Sequence, residues 1–193
     1  MHSFKSDVTL GDFAAARRLL FQENCSLEGY EQEYVYSRDM TNRYAYRLSW
    51  DASRPFVLWV MLNPGTGETE QRRRNTLERC KAWSRSWGYG GLLIGNAFSA
   101  RTKSAKHLAA VIEPSNPVND EALILLSQLA TETVAAWGCG GSRSHRSHDM
   151  QRLLIKPKCL GTTKSGEPRH PLYVTASTFL VEWHNQAPAQ RDA

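Results

Sequence analysis

Residues 55–67 read PFVLWVMLNPGTG. Phe56–Leu62 is apolar at every position and rich in β-prone residues, so it predicts a strand buried on both faces, as in a parallel central sheet. The run stops at Asn63-Pro64-Gly65, where the proline and glycine turn the backbone sharply and leave the asparagine at the strand's carboxyl end. Gly91–Phe98 and Thr133–Trp137 read as further buried strands, and Pro157–Leu160 reads as a fourth strand. Helical periodicity fills the intervals, over residues 75–87, 104–111, 119–130 and 149–154. Strand and helix in alternation predict an α/β protein, a three-layer α/β/α sandwich with a mostly parallel four-stranded central sheet.

Outward from this core, residues 7–22 predict a helix with Asp7 as a possible cap and Phe13, Leu19, Leu20 and Phe21 as its apolar stripe. Residues 26–39 form the one acidic stretch, and Arg43–Trp50 alternates as a half-buried strand does. Gly138–His148 reads as a loop, and the tail beyond Trp183 as polar and frayed. The chain of 193 residues predicts a single domain over 1–193. Residues 1–50 are an N-terminal extension, 55–175 the core and 184–193 the tail.

Hydrophobic residues make up 41% and charged residues 22%, enough apolar content for a core without metals or disulfides. The four cysteines show neither a CxxC clip nor zinc spacing, so free thiols in a reducing cytosol are expected. With neither a signal-peptide core nor an apolar run of about 18 residues, the expectation is a cytoplasmic chain with no membrane partner. A net charge of +5 and a pI near 9.1 fit either a polyanionic partner or an ordinary basic protein.

In α/β folds ligands bind beyond the carboxyl ends of the strands, here the loops 63–74, 95–103, 138–148 and 161–173. Each carries cations, among them Arg72, Arg73 and Arg74. Together they predict a basic rim able to hold phosphates, with Thr66, Arg101, Lys103, Arg143, Arg146, Lys164 and Arg169 as backbone contacts. The plainer reading is that basic residues favour exposed loops. His145 and His148 could hold a metal or a phosphate, but a solvated loop suffices, and no metal or other cofactor is called for.

The quoted stretch resembles the first motif of the mismatch-specific uracil/thymine glycosylases, an apolar strand ending in Asn-Pro-Gly. GLLIGNAFSAR, TVAAWG and PRHPLY are similar to the later motifs of that superfamily, in the same order over residues 55–175. Over nearly its whole length the chain also resembles a bacterial and phage family of unknown function. Its hallmarks appear here at Met61–Thr66, Trp87–Gly90, Asn96–Phe98 and Gly166–Tyr173. Some antiphage glycosylases that excise glucosylated hydroxymethylcytosine look like members of that group.

These resemblances imply a uracil-DNA-glycosylase-like fold and a monofunctional, monomeric DNA glycosylase. Such an enzyme flips a modified pyrimidine out of double-stranded DNA and leaves an abasic site. Asn63 is implied to orient the attacking water, and His170 to donate to the departing base. Asn96 would read the base edge, with Pro64, Gly65 and Trp137 as further pocket residues. Phe98 or Tyr89 would stack on the base, and Leu172 is either a wedge or a core residue. The sequence departs from the superfamily at His-Pro-Leu-Tyr, which lacks the phosphate-gripping serine. The water-activating aspartate of the uracil-specific branch is also absent. An acidic residue expected near Arg74 is replaced by Arg72-Arg73-Arg74-Asn75. Two other functions fit the same residues: hydrolysis of free modified nucleosides or nucleotides, and non-catalytic sensing of modified DNA or nucleotides.

Overall fold

The computed structural model describes residues 8–25, 29–66, 75–111 and 113–184. In chain order its elements begin with α1 (Leu10–Ala16), β1 (Leu20–Cys25), β2 (Glu31–Tyr36), β3 (Arg43–Ser49), β4 (Phe56–Met61) and α2 (Asn75–Ser86). They continue with β5 (Gly91–Asn96), α3 (Ala105–Leu108), α4 (Pro117–Leu129), β6 (Glu132–Ala135), α5 (Arg146–Leu153), β7 (Lys158–Cys159) and β8 (Val181–Glu182). Two 3-10 segments, Gly138–His145 and Pro171–Tyr173, precede α5 and follow β7. Residues 138–148, expected as an open loop, are thus helical throughout. Among the described residues no helix is long and apolar enough to cross a membrane.

All the strands join one eight-stranded sheet in the order β1-β2-β3-β5-β4-β6-β7-β8. The four central strands expected from the sequence are mutually parallel and adjacent, in the order β5-β4-β6-β7. To them the chain adds an antiparallel β1-β2-β3 meander, joined through β3 to β5, and an antiparallel β8 beside β7. The sheet is therefore mixed and mostly antiparallel in its pairings, which corrects the expectation of a mostly parallel four-stranded sheet. Polar residues hid the two outer strands, since LFQENC and EQEYVY show no clean alternation. Glu33 on β2 instead pairs with Arg47 directly opposite on β3. Opposite charges facing each other across two neighbouring strands form a favourable cross-strand pair.

The first helix is also shorter than residues 7–22. Thr9 caps it, accepting from the Asp12 N–H at 3.1 Å while the Asp12 carboxylate accepts from the Thr9 N–H at 3.0 Å. The helix ends at Ala16, and Arg18 adopts a left-handed φ of 53° before β1 begins. Asp7 lies outside the described residues.

Side-chain alternation along the central strands builds a core on each face. Leu58, Val60 and Leu93 pack with Phe13 of α1, Leu123 and Leu126 of α4 and Met150 of α5. Val57, Trp59, Leu92 and Ile94 point the other way, against Cys80 and Trp83 of α2. The buried Trp59 indole donates to Ser84 Oγ at 3.0 Å, and that hydroxyl donates to the Cys80 carbonyl at 2.7 Å, so this face buries no orphan polar group there.

At the amino ends of the parallel strands, Gly90 is clamped. Its carbonyl accepts from Trp50 and Asp51, its N–H donates to the Pro55 carbonyl, and an added Cβ would lie 1.9 Å from the Asp51 carbonyl oxygen. Because that neighbour is backbone, it cannot swing aside. Gly90→Ala is expected to lower stability by about 1–3 kcal/mol, the usual cost of overpacking. Urea unfolding would report this, and an unchanged midpoint would show that the Trp50–Pro55 turn yields.

Candidate active site

The chain's course beyond the strand ends brings the predicted loops together. The Met61 and Leu62 carbonyls accept from Ala97 and Phe98, so β4 and β5 stay zipped past their last residues. Thr102 N–H donates to the Pro64 carbonyl at 3.1 Å, and Gly138 N–H to the Pro168 carbonyl at 2.9 Å. Gly138 takes a left-handed φ of 71°, and an added Cβ there would sit 3.5 Å from His170 Cβ. The result is a cavity of about 600 Å³ at the carboxyl ends of the parallel strands. Asn63, Asn96, Trp137 and His170 line it, together with Gly65, Lys103, Cys139 and Tyr173 from the same loops. Leu77 and Cys80 of α2 and Arg43 and Tyr46 of β3 complete the inner wall.

Three side chains dominate its chemistry. Asn63 Nδ2 donates to Thr102 Oγ1 at 2.9 Å and to the Pro64 carbonyl at 3.1 Å. The amide is thereby fixed with its nitrogen turned into the protein, and its Oδ1 remains an acceptor. His170 accepts the Leu172 N–H on Nδ1 at 3.3 Å. That bond selects the neutral tautomer protonated on Nε2, which is then a donor. Burial pushes the His170 pKa below the ordinary 6.5 and so favours the same neutral form. Asn96 is 1% exposed, and its Nδ2 has no hydrogen-bond partner, although its backbone carbonyl is held by Asn119 Nδ2 at 3.0 Å. A buried donor left unpaired costs about 1–3 kcal/mol, so Asn96 is kept at the expense of stability.

Other expected site residues fall elsewhere. Phe98 is 2% exposed and packs in the core on the α4 face, so it has no open ring to offer. Tyr89 lies at the opposite end of the sheet, where its carbonyl accepts from Trp50 Nε1 and its neighbour Gly90 bonds Pro55. Pro64 is buried beneath its own loop, with its carbonyl taken by Asn63 and Thr102. Leu172 is 40% exposed, which removes the core alternative.

The basic rim is also thinner than expected. Arg146 is 6% exposed, donates from Nε to the Ala97 carbonyl at 2.6 Å and pairs with Asp120 at 2.5 Å. It ties the β5 loop to α4. Arg101 donates to the Met40 carbonyl at 2.8 Å and lies over the Tyr36 ring. Arg169 holds the Thr162 carbonyl at 2.9 Å yet stays exposed, as do Lys164 and the cavity-lining Lys103. Thr66 is partly exposed beyond Gly65. Arg72, Arg73 and Arg74 lie outside the described residues, as does the Arg143 side chain. His145 adopts a left-handed φ of 58° just before α5, and His148 is an exposed residue of that helix. Among the described residues no group of three or more His, Cys, Asp or Glu could hold a metal.

Sequence reasoning passed over several contributors. Arg43 is 7% exposed yet lines the cavity, its guanidinium 5.7 Å from the Tyr46 ring centroid. The alternation of RYAYRLS gave the strand but not this burial of its first cation. Glu167, 4% exposed, accepts from Trp137 Nε1 at 2.8 Å and from Ser147 Oγ at 2.6 Å, and so fixes the indole that forms one wall. Its place beside Pro-Arg-His was the available signal. All four cysteines are unpaired, and Cys139 is exposed. Burial raises the Cys80 thiol far above its usual value, which leaves it an uncharged wall residue.

A family model described as a protein of unknown function (DUF1643) matches residues 43–172. That span is well over half of the chain, and the chain belongs to this family. It begins at Arg43 and ends at Leu172, so it contains the strands and loops that build the cavity, except Tyr173. No curated protein matches the chain, and neither does any solved structure.

Two measurements probe the geometry. For His170 the folded pKa lies below the unfolded one. The stability tied to the neutral ring is therefore full above pH 6.5 and is lost as pH falls through the folded value. An NMR titration should give a His170 midpoint below 6.5, and a midpoint at or above it would remove the neutral-donor argument. For Asn96, substitution by alanine removes the orphan donor without adding volume. Asn96→Ala is expected to stay within about 1 kcal/mol of the parent protein in urea unfolding, because relief of the unpaired donor offsets the packing lost, and a loss above about 3 kcal/mol would count against an unmatched amide.

Proposed function

We propose that this chain is a uracil-DNA-glycosylase-like hydrolase that cleaves the N-glycosidic bond of a modified pyrimidine in double-stranded DNA, leaving an abasic site. The observation that supports this reading is the convergence of Asn63, Asn96 and His170 on one cavity from three separate loops. Extrusion of the base brings it within reach of such a pocket. A volume of about 600 Å³ falls within the range of small-molecule sites and leaves room for a substituent on the ring. Glucosylated hydroxymethylcytosine in phage DNA is the proposed substrate of first choice.

The chemistry follows from the three side chains. Asn63 Oδ1 accepts a hydrogen of the attacking water and holds its oxygen toward the sugar. An amide is too weak a base to do more, but a dissociative, oxocarbenium-like transition state needs positioning rather than deprotonation. The His170 Nε2–H donates to the oxygen on which negative charge builds as the base leaves. Asn96 pairs in the plane of the base edge. The C–N bond breaks, a C–O bond forms to water, and the water's proton leaves to solvent or to the departing base.

One observation favours a second reading, hydrolysis of free modified nucleosides or nucleotides. Two of the cations expected on the rim, Arg101 and Arg146, are engaged inside the protein, which weakens the case for a long phosphate track. The deciding experiment offers plain, uracil-containing, hydroxymethylated and glucosylated duplexes, with the matching nucleosides in parallel, and detects released bases by mass spectrometry. We expect release from a modified duplex, reduced about 100-fold by Asn63→Ala and about 100- to 1,000-fold by His170→Ala. Activity confined to nucleosides would select the second reading. Tight duplex binding without release would make the protein a sensor.

A further inference from the structure

We infer that Tyr173 is the stacking platform of the cavity, its ring lying on the flat face of a planar heterocyclic ligand whose edge is met by Asn96. For the identity of that ligand as a nucleobase the inference rests on the reading above.

Among the described residues, Tyr46, Trp137 and Tyr173 line the cavity beside His170, and they differ in what covers them. Tyr46 is 2% exposed and stacks on Tyr34 at 4.6 Å between centroids, with the Arg43 guanidinium near its ring. Trp137 is 1% exposed, meets Trp183 edge to face at 4.9 Å and has Gly141 pressed against its indole edge. Tyr173 is 81% exposed, and its ring neighbour is His170, at 5.7 Å and tilted by 51°. It is thus the lining ring with a free face, the place that Phe98 cannot fill.

Exposure alone would mean little, because single exposed aromatics are common on protein surfaces. What distinguishes Tyr173 is that its backbone is pinned on both sides. Pro171 restricts the turn, Tyr173 N–H donates to the His170 carbonyl at 3.0 Å, and Arg79 of α2 donates to the Val174 carbonyl. A ring on a fixed backbone loses little freedom when a ligand stacks on it.

Independently, the buried Asn96 side chain lines the same cavity, and its Nδ2 has no hydrogen-bond partner, so a small rotation of the amide would present a donor to a ligand. A π face beside the mouth and an in-plane donor at the inner wall together select a flat ring with a polar edge. A sugar can also lay a C–H face on a tyrosine, but its hydroxyls are spread around a puckered ring and do not form one planar polar edge. Tyr173 therefore binds the heterocycle, while His170 beside it meets the leaving group's developing charge.

The test combines binding and turnover in Tyr173→Ala, Tyr173→Phe and Tyr173→Trp. Free cytosine, uracil and hydroxymethylcytosine are titrated by saturation-transfer NMR, with glucose as the non-planar control, and duplex excision is followed in parallel. Tyr173→Ala is expected to weaken heterocycle binding about 10- to 100-fold, the usual loss of one base–aromatic stack. The loss should fall mainly on KM, Phe and Trp should restore it, and the unfolding midpoint should not move. Heterocycle binding by Tyr173→Ala equal to that of the parent protein overturns the inference, including the case where the ring inserts into the duplex instead. If excision proceeds and is insensitive to Tyr173, stacking is wrong and the glycosylase reading stands. Heterocycle binding that depends on Tyr173 without release of any base supports the platform and removes the glycosylase reading. If the parent protein neither binds nor releases a planar heterocycle, both fall.

Discussion

Everything in this molecule is arranged around β4, a strand that has to be paired along both edges and covered on both faces. Val57, Leu58, Trp59 and Val60 are fully buried, and β5 and β6 take its two rows of backbone donors and acceptors. An apolar strand of this kind is stable only inside a sheet with helices on either side. The requirement extends past the strand itself. Ala97, Phe98 and Ala136 donate to the Met61, Leu62 and Val60 carbonyls, so the three central strands leave the sheet in register. Loops that leave together have to diverge, and the space between them is the cavity. Its position thus follows from backbone pairing, whereas its chemistry follows from the residues at the strand ends.

That division explains what was legible in the sequence. Three of the four parallel strands announce themselves as apolar runs, the short Lys158–Cys159 strand follows from its place in the alternation, and the helices between them read as periodic segments. Because loops at one end of a parallel sheet must share a neighbourhood, Asn63, Asn96 and His170 could be grouped without coordinates. What remained hidden depends on partners distant in sequence. LFQENC reads as the end of a helix until Glu31–Tyr36 lies beside it, and EQEYVY reads as a polar stretch until Arg47 answers Glu33. Arg146 and Arg101 look like surface cations until Asp120 and the Met40 carbonyl are found next to them. Phe98 and Tyr89 carry the right ring type but the wrong direction, which is set by strand parity and by the end of the sheet each occupies.

The cavity also shows a consistent pattern of deferred satisfaction. Asn63 spends its nitrogen on the protein and keeps its oxygen. His170 spends Nδ1 and keeps Nε2–H, and Asn96 keeps a buried donor with no partner at all. Structural polar groups nearby are mixed in this respect. Ser84, Ser147 and Glu167 find partners inside the protein, whereas Asn119 Oδ1 stays unpaired although its Nδ2 holds the Asn96 carbonyl. A buried orphan opposes folding wherever it lies. What sets Asn63, Asn96 and His170 apart is therefore their shared place on the cavity wall.

The sheet order has a last consequence, for a chain emerging from the ribosome. β1, β2 and β3 pair with their immediate neighbours and can form a meander as soon as they appear. β4, the most apolar strand, comes next, but the strands that flank it arrive only after α2 and again after α4. Between those events Phe56–Met61 is an unpaired, sticky segment, and closing the long loops to its partners is slow compared with making a hairpin. Nascent chains stalled before Gly91 would therefore be strong clients for chaperones that recognise extended apolar peptide, while chains released after Ala135 would already have the strand shielded.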